Sequence, residues 1–291
     1  MSLARLYRSL RRHAPLVWNF VDKDLKGRYV GSTAGFFWSL VNPLLSLATY
    51  TFVFNFVLQS RWSDVQPASQ VVLVMYLGIV TWGCHAEILT RSTGTLVENG
   101  NLIRKVVFPS EILPAFISLS ALVNLLIGMA FVGLGVLFLG YISPLADPTP
   151  PGWVPAPGER GFESLRFGLS LCSVPLLLAL HVCFSAGLGY LIATLNLLVR
   201  DVGHFSSALI TIWMFGTPIF YPESMVRERG YGWVVDLNPM AWLVDAYRGA
   251  ILFGHWPEPL VLAKLALVAL ACLLLGTRFF FKAQHRFADF L

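Results

Sequence analysis

Long apolar runs separated by short charged loops make up nearly the whole chain. From Tyr29 to Ser60 there is no Lys, Arg, Asp or Glu over 32 residues. As helix that run is about 48 Å long, whereas roughly 20 residues suffice to cross a bilayer. The pattern predicts a first span over Thr33–Leu58, kinked at Pro43, and further spans over Pro67–Ile88, Ile112–Ile142, Phe167–Val199, Val202–Tyr221 and Pro259–Thr277. Six spans put both ends on one side. The expected fold class is therefore all-α, a polytopic membrane protein with one domain over residues 1–291: a leader at 1–28, the spans within 33–277 and a tail at 278–291.

The leader has a different period. Leu3, Leu6, Tyr7, Leu10 and Ala14 share one helical face and Arg5, Arg8, Arg11 and Arg12 the other, which reads as an amphipathic helix lying in the membrane interface and not as a cleavable signal. Charge then orients the spans. Lys and Arg number seven in residues 1–28, three after the second span, one at Arg200 and three after Thr277, against six in the loops opposite, with Lys264 left inside the sixth span. The positive-inside rule makes both termini cytoplasmic. It also accounts for the net charge of +5 without nucleic acid, since basic segments face anionic lipid. Hydrophobic residues are 56% of the total and charged ones 13%, and the mean hydropathy is +0.67. These values exceed what a soluble core requires.

Catalytic chemistry is not evident. No glycine-rich loop with Lys-Ser/Thr occurs, nor His-Glu-x-x-His, Gly-x-Ser-x-Gly or Cys-x-x-Cys. Cys84, Cys172, Cys183 and Cys272 lie in apolar runs and read as small buried hydrophobes, and the six histidines form no ligand cluster. His181, deep in the fourth span, is a functional candidate or a helix-to-helix hydrogen bonder. Glu87 and Arg91, four apart, read as an intrahelical pair. No catalytic residue and no metal site is expected.

Three segments suit the movement of a large cargo. The first and fifth spans are rich in aromatic rings, among them Phe36, Trp38, Tyr50 and Phe54 in the first and Trp213, Phe220 and Tyr221 in the fifth. Such rings face lipid, pack internally or stack on the apolar faces of sugars. Pro222–Glu258 is too short for a full in-and-out hairpin and reads as two short helices divided at Asn238-Pro239, an outer gate carrying Trp233, Trp242, Asp245 and Arg248. Asn99–Glu111 reads as a handle. Asn99-Gly100 stops the preceding helix, Asn101 caps a short helix over Leu102–Val107, Phe108-Pro109 ends it, and Ser110 with Glu111 caps the third span. Leu102, Val106 and Phe108 are available to a pocket, with Arg104 and Lys105 at its rim.

Lys26–Pro43, Asn101–Pro109, Asn196-Leu-Leu-Val-Arg-Asp201, Thr217-Pro-Ile-Phe-Tyr-Pro222 and Asn238-Pro-Met occur in an order and spacing that resemble the membrane permeases of type-2 ABC exporters for bacterial surface polysaccharides. The resemblance covers nearly the whole chain, although each motif is short. It implies a homodimeric channel, two copies of a separate ABC ATPase subunit that binds ATP and Mg, and export of a lipid-linked polysaccharide across the cytoplasmic (inner) membrane. By that likeness Asn101, Leu102, Arg104, Lys105, Val106, Phe108 and Pro109 form the coupling helix. Lys23, Lys26 and Arg28 receive the lipid diphosphate, and no cofactor is bound by this chain itself. The Ser143–Arg166 loop, with six prolines, is longer than the family pattern.

The stretch Lys26–Pro43 favours O-antigen as cargo. Capsule or teichoic acid, or a drug or small lipid, are alternatives within the transporter class. A membrane-embedded enzyme acting on lipid-linked sugars is the remote alternative, and it lacks an evident cluster of acids or histidines at either interface.

Overall fold

Small residues set how closely these helices approach, and charged ones set where they end. The computed structural model describes residues 2–29, 68–105, 108–139 and 165–291, with positions 41, 45, 48, 49, 52 and 53. Among the described residues the elements are α1 (Ser2–Arg12), α2 (Ala14–Tyr29), α3 (Ala68–Glu98), α4 (Gly100–Lys105), α5 (Ile112–Leu137), α6 (Val174–Leu198), α7 (Val202–Phe215), α8 (Glu223–Glu228), α9 (Gly232–Asp236), α10 (Pro239–Arg248), α11 (Pro259–Ala283) and α12 (Phe287–Phe290). A 3₁₀ turn at Leu169–Ser173 leads into α6, and a π-helical turn at Gly249–Phe253 follows α10.

Four segments are long and apolar enough to cross a membrane: Gln70–Glu98, Ile112–Leu137, Leu169–Leu198 and Pro259–Phe290. The chain is thus an all-helical polytopic membrane protein. Most of the expected first span, Thr33–Leu58 with Pro43, lies outside the described residues, as do Phe36, Trp38, Tyr50, Phe54 and most of the proline-rich loop. The fifth expected span needs correction. α7 has only 14 residues, about 21 Å, and Gly216 with Pro218 stops the helix, leaving Thr217–Tyr221 non-helical. The second expected span is also corrected, because α3 continues ten residues past Ile88 to Glu98, so that Arg91 lies within the helix and makes the polar contacts described below.

Among the described residues α6 and α11 approach each other most closely. A methyl group at Gly276 would lie 1.9 Å from the Gly187 carbonyl oxygen, and one at Gly187 would lie 2.4 Å from the Leu273 nitrogen. The two backbones touch where neither carries a side chain, the contact that close helix packing in a membrane requires. Toward one end of the bundle Val21, Leu96, Ile112, Leu113, Tyr190, Phe280 and Phe287 form a core joining α1 and α2 to α3, α5, α6 and α11. A larger core runs to the other end through Leu77, Leu125, Leu177, Ile219, Leu243, Tyr247 and Leu252.

α1 and α2 are nearly one rod. Only His13 separates them, and the ladder continues across it through His13 N–H to Ser9 O at 2.9 Å and Val17 N–H to His13 O at 3.0 Å. Leu6 is buried whereas Tyr7 is exposed, so the amphipathic face is only partly sealed against α11.

Candidate functional site

The handle begins earlier than the spacing implied. The Asn99 carbonyl accepts from the N–H groups of Leu102 (3.0 Å) and Ile103 (3.2 Å), so α4 starts at Gly100 and Asn99, not Asn101, closes its first turn. Asn99 Nδ2 also donates to the Thr95 carbonyl at 2.8 Å, which ends α3. Gly100 is closely approached by the chain end, since Leu291 Cδ2 lies 3.1 Å from where a Cβ would sit. Asn101, Leu102 and Arg104 are exposed, while Ile103 turns inward. Phe108 differs from the expectation. Its ring is half-buried, 5.8 Å from that of Phe20 on α2, so it anchors the segment to its own chain. Pro109 is half-buried beside it. Val106 and the Lys105 side chain lie outside the described residues.

Directly behind this segment is a junction that the sequence did not reveal. Glu111 makes no side-chain cap on α5, contrary to expectation. Its Oε1 accepts from Ser9 Oγ at 2.6 Å, its Oε2 from Gln284 Nε2 at 2.9 Å and its carbonyl from the Tyr190 hydroxyl at 2.6 Å. Gln284 Oε1 in turn accepts from Arg5 at 2.9 Å. Four elements distant in sequence (α1, α5, α6 and the end of α11) therefore meet at one residue, α1 and the end of α11 at its carboxylate and α6 at its backbone carbonyl. A cleft of about 160 Å³ beside α4 is lined by Glu98, Asn101, Arg104, Arg200, Phe290 and Leu291, among others. The tail is part of the handle's surroundings, and its only signal in sequence is the apolar set Phe287, Phe290 and Leu291 after a basic stretch.

The three cations expected at the lipid head differ in their commitments. Lys26 pairs with Asp22 at 2.7 Å. Arg28 donates to Asp24 at 2.9 Å and to Glu87, and Arg91 donates to Asp24 and, at 3.0 Å, to Glu87. Asn124 Nδ2 completes the set, donating to Glu87 Oε2 at 3.0 Å. The intrahelical Glu87–Arg91 pair is present, but as one side of a four-charge square that locks α2 to α3 and, through Asn124, to α5. Burial alone would raise the Asp24 pKa, yet the hydrogen bond and charge of Arg91, joined by those of Arg28, hold it below the usual 3.8. Arg28 is thus engaged by Asp24 and Glu87. Lys23 is exposed on the same helix.

At the opposite end the expected gate is built from three helices, α8, α9 and α10, and not two. Asn238 is a hub: its Oδ1 accepts from Trp213 Nε1 (2.9 Å) and Met240 N–H (3.0 Å), and its Nδ2 donates to Gly216 O (3.1 Å) and Thr217 Oγ1 (3.0 Å). Arg248 is buried and donates to the carbonyls of Val74 (3.2 Å), Pro218 (2.8 Å) and Ile219 (3.0 Å). Expected to pair with Asp245 or reach a cargo, it caps the non-helical stretch after α7, whose broken ladder leaves the carbonyls of Pro218 and Ile219 in need of donors. Trp213 and Phe220 pack inside this chain, Trp213 against Trp82, His85 and Phe184, and Phe220 in the core. Tyr221 donates its hydroxyl to the Phe215 carbonyl. Trp233 is exposed, and Trp242 lies under Lys264, whose Nζ is 5.5 Å from the ring centroid.

The fold brings His85 beside His181, with ring centroids 6.4 Å apart, and Tyr247 lies 6.1 Å beyond. His85 Nδ1 bonds Ser185 Oγ at 2.7 Å, while both ring nitrogens of His181 lack a hydrogen-bond partner among the described residues. No group of three or more possible metal ligands occurs among those residues.

Residues 15–252 match the family model described as ABC-2 type transporter. The chain belongs to this family. It is 27% identical over 289 residues to the O-antigen export system permease protein RfbA of Myxococcus xanthus, covering 99% of both chains. Two proteins of the same description from Klebsiella pneumoniae are 26% and 27% identical to it over 272 and 270 residues, each alignment covering 93% of this chain and 92% of the relative. The chain is accordingly an ABC-2 permease, the membrane component of a transporter whose family pairs it with an ATPase subunit. Its relatives export O-antigen by their names.

Proposed function

We propose that this chain forms the channel of an ATP-driven exporter that moves a lipid-linked polysaccharide, of O-antigen type, out of the cytoplasm across the inner membrane. Two copies assemble with two copies of the ATPase, both termini and α4 face the cytoplasm, and the α8–α10 segment faces outward. The observation that carries the coupling role is the exposed set Asn101, Leu102 and Arg104 standing on Phe108 and Glu111. A push on α4 from a soluble partner reaches α2 through the Phe20–Phe108 contact, and reaches α1, α6 and α11 through Glu111. Rigid helices joined by buried polar bonds move together more readily than they bend. The full-length likeness to O-antigen permeases supports O-antigen over a capsule, a teichoic acid or a drug.

Two measurements test this. Deleting the gene is expected to remove the surface polysaccharide and to accumulate the glycan on its carrier lipid inside the cell; normal surface glycan would refute the cargo. Reversing the handle's charges, Arg104→Glu with Lys105→Glu, is expected to stop export while the permease remains inserted. Normal export with normal ATPase assembly would refute the coupling role.

A further inference from the structure

The end of the bundle remote from α4 holds the larger cavity, about 500 Å³, where α8, α9 and α10 meet the start of α11. Its wall is built by Arg227, whose Nε donates to Glu223 at 2.6 Å and whose terminal nitrogen donates to Asp236 at 2.6 Å, tying α8 to α9. The hydrogen bond from Arg227 also holds the Asp236 carboxyl below its usual pKa, so the pair is ionised at neutral pH. Trp242 forms the floor and carries Lys264 over its ring. Trp256, 60% exposed, stands at the mouth beside Glu258. The lining thus contains four carboxylates (Glu223, Asp236, Asp245 and Glu258) against two fixed cations, Arg227 and Lys264.

We propose that this cleft is a binding site for sugar units of the cargo, and that it takes neutral or amino-bearing sugars in preference to acidic ones. The inference rests on the glycan reading above and adds a site and a substrate class to it. A sugar ring is apolar on its C–H faces and polar around its rim. An exposed indole covers the face, and ionised carboxylates accept hydroxyl protons from the rim. The volume lies within the range of small-molecule sites. The charged side chains of the lining suit a sugar and not an acyl chain or an apolar drug. Arg248, buried behind the wall, offsets part of that excess through Asp245 and Glu223, and the remaining negative charge disfavours uronic acids and phosphate-bearing units at short range, an effect that salt weakens.

The test uses the permease purified with its ATPase and, as probe, the lipid-free oligosaccharide released by mild acid from the organism's own surface polysaccharide. Saturation-transfer NMR with an affinity titration is expected to detect binding that Trp256→Ala weakens about fivefold, the loss of one aromatic contact. Trp18→Ala, at an exposed tryptophan of α2, is the control and is expected to leave it unchanged. Equal affinity of the Trp256 variant and the native protein, or no binding to the native protein, overturns the site. Galacturonic-acid oligomers are expected to bind the native cleft more weakly than the probe and to gain several-fold with Glu258→Lys at low salt. Uronic oligomers that bind as tightly as the probe would overturn the charge preference. The variants' ATPase activity and melting transition verify folding. If gene deletion abolishes surface glycan but the cleft binds nothing, only this site fails; if deletion leaves the glycan intact, the cargo assignment itself fails.

Discussion

Replacing Arg91 with alanine should loosen α2 from the spanning helices. Arg91 donates to both oxygens of Asp24 and to Glu87, with no more than 30% of its side chain exposed. Charge-assisted hydrogen bonds contribute about 1.5–3 kcal/mol each when buried, and screening at a partly exposed site lowers that. Arg28 remains to hold both carboxylates, so neither is left wholly unpaired. A loss of about 2–3 kcal/mol is the reasonable outcome. The assay is a double-mutant cycle, with Asp24→Ala, Arg91→Ala and their combination compared by thermal unfolding of the detergent-solubilised protein. A coupling energy of about 1–2 kcal/mol is expected, because the two side chains interact directly. Exchange of the charges, Asp24→Arg with Arg91→Asp, should recover less than half of the loss, since Arg28 and Glu87 then each face a like charge. Additive single effects would refute the claim that the square joins α2 to α3.

Gly276→Leu is expected to destroy the α6–α11 contact, because even a methyl group meets the Gly187 carbonyl at 1.9 Å. Loss of folded, membrane-inserted protein in fluorescence-detected size exclusion checks this. Arg248→Met removes donors from three carbonyls and should cost about 3–5 kcal/mol, read as a lowered melting temperature with Asp245→Asn as a milder comparison. The pH dependence follows from Asp24. Its folded pKa is depressed below 3.8, so its ionised form stabilises the fold at neutral pH, and that stabilisation is lost as pH falls below 3.8 through the folded value. Asp24→Asn should flatten that acid limb of a stability-against-pH curve, and an unchanged limb would contradict the assignment.

The apolar runs were sufficient to set the fold class, because spanning lipid demands long stretches without charge and helical backbone. The α3, α5, α6 and α11 segments could be read from the residues in this way, as could the Glu87–Arg91 spacing and a short basic helix after Asn99. The short α7 was not legible, since apolar composition continues through Thr217–Tyr221 and only the donors of Arg248 and Asn238 make a non-helical backbone tolerable there. The direction of a side chain was equally hidden. Phe108 and Phe220 look like surface rings in an apolar string, and only the approach of α2 to Phe108, or of the larger core to Phe220, turns them inward. Arg28 and Glu111 are the clearest cases. In sequence each is a charge near an interface, with the same formal chemistry as its exposed neighbours. Their partners lie 59 residues away for Arg28 and 102 and 173 away for Glu111, so helix packing alone decides that one locks α2 in place and the other gathers four helices behind the handle. Composition along the chain governs transfer into lipid residue by residue, whereas pairing of buried charges depends on distances that only the assembled bundle sets.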